Sequence, residues 1–254
     1  MTAGSSYCYL HHHTKSSERG ADLGTDNVEI KKNSIIGLGP TRKSKNYFRW
    51  ITAQVGQVPS VVDIGCGDGI VETLLNSGQS YLGFDIGADI YPRHVRRNIK
   101  YIEDIDCLYR EIKLLQDLEL VLMMDVLEHT ESFVKMFDLV LMQGPKLVFV
   151  SLPNETNLTR RIQFLRGHMI PAHGVGMVDT KKGHRHSWLI DYRDAVQLLT
   201  KRGANIGYKV LASVDYFDLE VGGFRPKVSI RSLIARILPS YLSAQGFGVL
   251  LERM

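Results

Sequence analysis

Three cysteines in 254 residues are too few for a disulfide framework. Cys8, Cys66 and Cys107 are odd in number and nowhere form C-x-x-C, so a cysteine zinc site is not indicated and a reducing compartment is expected. Long apolar runs are missing too. No stretch approaches the ~18–20 residues of a membrane span, and the first thirty residues lack the apolar centre of a secretory leader. A cytoplasmic location is the expectation, with no transmembrane segment. Charge of one sign is scarce: Lys and Arg exceed Asp and Glu by 31 − 27 = +4. That admits an anionic ligand without demanding nucleic acid, and no aromatic-interleaved basic stripe points to RNA, although RNA is not excluded. Internal repeats are absent, as is the G-x-x-x-x-G-K-[ST] phosphate loop.

What remains is an ordinary globular composition, 44% hydrophobic and 23% charged, long enough for one α/β domain of roughly 200 residues with some elaboration. Residues 1–43 read as a flexible N-terminal arm or lid. The first thirty are polar and without period, and His11, His12 and His13 suit a solvated tail better than a metal tract. Residues 44–254 read as a single domain. "KNYFRWITAQV" has helical spacing, and from there strands alternate with helices. The segments "SVVDIG", "SYLGFDIG", "IKYIEDID", "LELVLMMDV", "KLVFVSLPN", "NIGYKVLASVDYF" and "GFGVLLER" give seven strands. "DGIVETLLNSG", "CLYREIKLLQ", "TESFVKMFDLVLMQGP" and "DYRDAVQLLTKRGA" read as helices. The rhythm predicts a mostly parallel, doubly wound α/β sheet covered on both faces. Residues 155–190 read as a substrate-loop insertion, and "SIRSLIARILPSYL" as a helix packed on its own domain rather than on a membrane.

Within "VVDIGCGDG", a strand ends at Asp63 and runs into Gly65, Gly67 and Gly69. A dinucleotide loop needs G-x-G-x-x-G, but position 70 is Ile70 and the third glycine comes one residue early. That disfavours a nicotinamide-dependent oxidoreductase. The spacing D-x-G-x-G-x-G instead resembles the first motif of class I S-adenosylmethionine-dependent methyltransferases, of the type 11, 12 and 23 groups. An acid at the strand end suits the cationic amino-acid part of S-adenosylmethionine, and glycines let that part lie against the backbone.

Further matches follow in the family's order. The resemblance covers roughly residues 44–215 and implies the seven-stranded Rossmann-like methyltransferase fold, with an antiparallel C-terminal strand. It implies that Asp63, Ile64, Gly65, Cys66 and Gly67 line the cofactor, and that Asp85, with Ile86 beside it, takes the ribose hydroxyls. Asp104 would meet the exocyclic amine of adenine, with Ile105 against the ring. Met124 and Asp125, opening "MDVLEH", would lie beneath the methyl donor. Asp85 and Asp104 also suit turn or helix caps, and "SLPN" suits either a strand end with a Pro turn or a substrate-lining loop. Asn154 and Asn157 match glycosylation acceptors by coincidence.

For catalysis, Asp125, Glu128 and His129 share a face if the chain turns helical there. Three readings stay open. The triplet can be a helix start, with Asp125 as cap and Glu128 completing a capping box. His129 can be a general base for a substrate hydroxyl, with His186 as a second catalytic histidine. Or, as in some RNA 2′-O-methyltransferases and ubiquinone-pathway enzymes whose E-x-x-E-H it resembles, the triplet can hold a divalent cation, with Asp125, Glu128, His129 and His184 as ligands. The sequence favours no metal, since Asp125 reaches less far than the family's glutamate. The segment 166–187, with His168, His173, His184, His186, Arg166, Lys181, Lys182 and Arg185, suits an anionic or polyhydroxylated acceptor or a solvated basic loop. The expectation is O-methylation of a small molecule, sugar or lipid-linked glycan. The rivals are a metal-dependent RNA 2′-O-methyltransferase, an NAD-dependent oxidoreductase, and a non-catalytic binding module.

Overall fold

Leu120–Met124 and Leu147–Leu152 carry apolar side chains on nearly every position, the pattern of strands buried on both faces. The computed structural model describes residues 32–37, 40–86, 98–174, 185–218 and 237–254, and in it both runs are buried throughout. All seven expected strands form: β2 (Ser60–Ile64), β3 (Ser80–Asp85), β4 (Ile99–Tyr101), β5 (Leu120–Met124), β6 (Leu147–Pro153), β7 (Tyr208–Asp218) and β8 (Gly246–Arg253). An eighth, β1 (Lys32–Gly37), adds to the edge parallel to β7. The order is β1-β7-β8-β6-β5-β2-β3-β4, and β8 alone among them runs antiparallel to its neighbours.

The sheet is covered on both sides. On one face α1 (Pro40–Val55) buries Tyr47, Phe48 and Ile51 against Leu122, Phe149 and Leu250. On the other, α2 (Ile105–Lys113), α3 (Phe133–Met142) and α5 (Tyr192–Asn205) bury Leu108, Ile112, Phe137, Val140 and Leu199 against Val121, Met123, Val148 and Val150. Each such aliphatic or aromatic side chain contributes about 1.5–3 kcal/mol by leaving water. The central strands β2 and β5 are neighbours, and the chain departs from them in opposite directions. Their C-terminal ends therefore open a crevice, where sheets of this kind bind ligands.

Several boundaries differ from the sequence reading. The division at residues 43/44 falls inside α1, and β1 lies within the stretch read as an arm; His11 to His13 lie outside the described residues. The helix expected over "DGIVETLLNSG" is a single 3₁₀ turn, Ile70–Leu74, preceded by Gly69 in the left-handed region. Ile70, Val71 and Thr73 are β-branched and lose side-chain freedom in a helix, and Gly78 at φ 102° ends the segment. β4 stops at Tyr101, because Asp104 caps α2 by accepting from the Cys107 N–H at 2.7 Å. The insertion contains a helix that periodicity missed, α4 (Leu158–Leu165), capped by Asn157. Leu158, Ile162 and Leu165 fall at helical spacing along it, yet no residue of α4 is fully buried. Most of "SIRSLIARILPSYL" lies outside the described residues; its end forms the short helix Ser240–Ser243. No helix among the described residues is long and apolar enough to cross a membrane.

Candidate functional site

The glycine loop leaves β2 with Gly65, Gly67 and Gly69 all at positive φ, 72°, 56° and 68°. At Gly65 the requirement is double: a Cβ there would lie 2.6 Å from a methyl carbon of Val126. The loop therefore lies directly against the residue that follows Asp125. Gly83 on β3 makes room from below, since a Cβ at that position would meet the Cys66 sulfur at 2.7 Å. The Gly65 and Cys66 N–H groups donate to the Phe84 carbonyl, and the Gly67 N–H donates to the Asp85 carboxylate at 2.7 Å. Asp85 thus braces the loop at the crevice, and Ile86 beside it is largely exposed.

Asp63 is buried beneath this loop. One carboxylate oxygen accepts from the Tyr81 hydroxyl at 3.0 Å, and the other has no hydrogen-bond partner. Burial pushes its pKa up to about 7, against the Tyr81 hydrogen bond and with help from the Asp85 charge. A buried carboxylate oxygen left unsatisfied favours a cationic or N–H donor beside it. The orphaned oxygen, the close-approach glycine and Asp85 fit the amino-acid and ribose parts of S-adenosylmethionine. Asp104 is exposed at the start of α2, where hydrogen bonds from the Cys107 amide hold its carboxyl below the usual range, and Ile105 opens the helix.

At the end of β5, Met124 is buried and Asp125 takes the left-handed conformation, φ 51°. The capping-box reading fails here. The turn Leu127–His129 begins at Val126 without a side-chain cap. Asp125 instead accepts from Lys43 of α1, 2.8 Å to Oδ1 and 2.7 Å to Oδ2, and from the Ser151 hydroxyl at 3.3 Å. Three residues on, Glu128 is buried with Oε2 lacking any hydrogen bond. Burial and then the Asp125 charge push its carboxyl well above the ordinary range, against Lys43.

Around Glu128 the structure gathers residues from distant segments. Potential ligand atoms of Glu128, His129 and His186 lie within 4.8 Å of one another, and so do those of Glu155, His173 and His186. The His129 and His186 rings meet edge-on with centroids 4.7 Å apart. His129 Nδ1 lies 3.0 Å from the Arg185 carbonyl oxygen, which can only accept, so Nδ1 carries a proton. His186 Nδ1 donates to Glu155 at 2.7 Å, and His173 Nε2 donates to the same carboxylate at 3.0 Å. Neither Glu155 nor His173 carried a signal in the sequence that named its role. His168, Arg166 and Arg185 are exposed, and Lys181, Lys182 and His184 lie outside the described residues. Asp125 is paired with Lys43, and among the described residues His186 is the histidine that reaches Glu128 and His129.

A cleft of ≈ 700 Å³ opens beside His186, lined by Glu155, Arg160, Gln163, Phe217, Ser243 and Gln245 among others. A larger apolar groove of ≈ 970 Å³ runs between α3 and α5 over Phe133, Leu139 and Leu198, and none of the histidine–glutamate cluster lines it. Asn154 is not an acceptor for glycans. It is buried, and its amide donates to the Tyr241 and Ala244 carbonyls at 3.0 and 2.9 Å, while Asn157 donates to the Asn154 carbonyl at 2.7 Å. "SLPN" is thus a pinned strand end forming one wall of the cleft.

Several solved structures share this architecture. A S-adenosylmethionine-dependent methyltransferase from Archaeoglobus fulgidus aligns with a TM-score of 0.53 at 17% identity, over 85% of this chain and 95% of that one. The plantazolicin methyltransferase BamL, solved with a desmethyl analogue and S-adenosylhomocysteine, aligns with a TM-score of 0.52 at 11% identity over 84% of each chain. A cyclopropane-fatty-acyl-phospholipid synthase-like protein from Lactobacillus casei gives 0.50 at 14% identity, over 85% and 95%. No family model matches the sequence. At these identities the common property is the fold, and the chain has the Rossmann-like fold of S-adenosylmethionine-dependent methyltransferases.

Proposed function

We propose that the chain is a S-adenosylmethionine-dependent methyltransferase acting on a hydroxyl oxygen of a small molecule, sugar or lipid-linked glycan. The observation that carries this reading is the His129–His186 pair beside Glu128, one turn beyond the residue that packs against the glycine loop. When bound, the cofactor supplies a methyl group on a sulfonium, already activated for in-line displacement. The protein's tasks are then to align the acceptor and take its proton. Asp63 and Asp85 would hold the cofactor, and an imidazole Nε2 would receive the proton. The mixed polar and apolar cleft beside His186 suits a hydroxylated acceptor.

The test is calorimetric titration with S-adenosylhomocysteine, repeated for Asp85→Ala, then methyl transfer to a panel of hydroxylated acceptors. Binding that collapses in the variant supports the cofactor assignment. Binding of NAD alone overturns it in favour of an oxidoreductase, and cofactor binding without turnover on any acceptor favours a binding module.

A divalent cation is a second reading, favoured by the unsatisfied buried oxygen of Glu128 facing a site with two histidines. Two imidazoles and one carboxylate, each imidazole with its other nitrogen already fixed, are a donor set suited to Zn²⁺ or Mn²⁺. Such an ion would lower the pKa of an acceptor hydroxyl. RNA 3′ ends belong in the acceptor panel for this reason. Activity on them that a chelator abolishes would favour this reading over the metal-free one.

A further inference from the structure

We infer that the apolar groove between α3 and α5 is a binding site for a free fatty acid, a single apolar chain with one anionic head. The inference does not rest on the methyl-transfer reading above. Two helix faces make the groove. On α3, Lys135, Leu139 and Met142 recur at i, i+4 and i+7, and Asp191, Ala195 and Leu198 do the same at the start of α5. Trp188 and Leu189, just ahead of α5, add to the lining. Met142 is 72%, Leu189 57% and Trp188 45% exposed. Apolar side chains left in water in one continuous depression, rimmed by charge, mark a binding surface. The volume of ≈ 970 Å³ falls within the about 300–1,000 Å³ of small-molecule sites, which suits a flexible chain.

Charge decides where the head lies. A second cavity of ≈ 310 Å³ shares Lys113, Lys135 and Leu139 with the groove and adds Tyr109, Arg110 and Asp106. Three cations meet one acid there. Lys135 Nζ stands 5.0 Å over the Tyr109 ring, and Arg110 donates to the Cys107 sulfur at 2.8 Å. None of the three cations is ion-paired with a carboxylate among the described residues. The acids of the groove are differently placed. Asp138 is paired with Arg202, and Asp191 accepts from the Thr156 hydroxyl at 2.7 Å and the Arg193 N–H at 2.9 Å. Glu131 and Asp194 are the acids left on the rim, and they disfavour a ligand with a second anionic group. A carboxylate held by Lys113, Lys135 and Arg110 makes charge-assisted hydrogen bonds. Its chain then lies over Leu139, Leu198 and Met142 and takes their surface out of water.

Trp188 makes the experiment direct. The chain has two tryptophans, and the other, Trp50, packs against Phe149 on the opposite face of the sheet. Titration with sodium dodecanoate, kept below its micelle-forming concentration, should shift Trp188 emission to the blue and saturate in calorimetry at one molecule per chain. Dodecyl maltoside, a neutral head on the same chain, should bind more weakly, and butanoate should not bind. Lys113→Ala combined with Lys135→Ala should weaken dodecanoate about tenfold, the scale of one hydrogen bond to a charged group, and leave dodecyl maltoside unchanged. Leu189→Glu replaces an exposed side chain, so the fold tolerates it, and should weaken dodecanoate at least as much. Absence of saturable dodecanoate binding overturns the inference, and so does binding that Leu189→Glu leaves intact. Dodecyl maltoside binding as tightly as dodecanoate would remove the anionic head from it. Sedimentation showing a dimer that Leu189→Glu dissociates would assign the groove to a second copy of the chain instead.

Discussion

The two sides of the crevice are built in different ways. The side proposed for the cofactor is local: Asp63, Gly65, Gly67 and Asp85 sit at the ends of two adjacent strands whose register pairs Asp63 with Gly83. The side proposed for the acceptor is assembled from four separate segments. Lys43 comes from α1, Glu128 and His129 follow β5, Glu155 follows β6, and His173 and His186 come from the long connection before α5. On the first side backbone geometry does most of the work, and on the second ionisable side chains do. A site of the first kind can be read from spacing, whereas one of the second kind appears only when the chain is folded.

The sharpest way to break this division is to injure each side separately. His186→Ala should lower methyl transfer about 10²- to 10⁴-fold, the range for loss of a general base, and leave S-adenosylhomocysteine affinity within a few-fold of wild type. Asp85→Ala should do the reverse, abolishing binding in calorimetry. If His186→Ala also destroyed cofactor binding, the two sides would be one site and the comparison would fail.

Gly65→Ala comes next in size. The left-handed backbone alone costs about 1–2 kcal/mol with an alanine, and the new Cβ would lie 2.6 Å from the Val126 methyl. We expect lowered urea midpoints and at least a tenfold loss of S-adenosylhomocysteine affinity. Adding Val126→Ala should restore part of the stability, because it removes the clash but not the backbone strain. Full restoration would show that the left-handed conformation contributes little there.

These contrasts explain how far the sequence could be read. The strands were legible because Leu120–Met124 and Leu147–Leu152 are apolar on both faces, while the antiparallel β8 came from the family resemblance. The glycine loop was legible from its spacing, and Asp85 only through the resemblance. The short turn after Gly69 was misread as a full helix, because periodicity does not register three left-handed glycines. α4 was missed because it is only eight residues long, too short for the helical spacing of Leu158, Ile162 and Leu165 to stand out. Asp125 read as a cap because Lys43, 82 residues away, leaves no trace in local pattern. Glu155 carried no signal, and His173 was read only as one of four loop histidines, for the same reason: their pairing is a hydrogen bond across a sequence separation of 18 residues.

A smaller effect distinguishes the two sides by pH. Asp63 has a folded pKa of about 7, raised above its ordinary 3.8. A raised carboxyl contributes stability that is fully present below the unfolded value. That contribution is lost as pH climbs from about 4 to 7, at up to about 1.4 kcal/mol per pH unit. Binding has the opposite sign, since the ammonium of S-adenosylhomocysteine prefers the ionised form. Affinity should therefore rise toward pH 7 and level off above it, by up to tenfold per pH unit. Asp63→Asn should flatten both curves. Because the buried carboxyl of Glu128 is raised as well, Glu128→Gln is the necessary control. It should change the stability curve and leave the affinity curve alone, and an affinity curve that followed Glu128 would place the cofactor's charge on the wrong side of the crevice.

Asp104 tests the comparison at its margin, since it serves the fold and is expected to serve the cofactor. Its carboxylate caps α2 through the Cys107 N–H at 2.7 Å, and the family resemblance gives it the adenine amine. Asn and Ser both cap well, but Ser is too short to keep a side-chain contact with a base. If Asp104 only caps, Asp104→Ser and Asp104→Asn should bind S-adenosylhomocysteine as wild type does, and only Asp104→Ala should loosen α2. If it also meets adenine, Asp104→Ser should lose about 3- to 10-fold in affinity, the scale of one hydrogen bond. Asp104→Asn should lose less, because its amide oxygen still accepts from the exocyclic amine. Equal affinities across Asp104→Ser, Asp104→Asn and wild type would assign Asp104 to the fold alone and move the adenine contact to another residue on the rim.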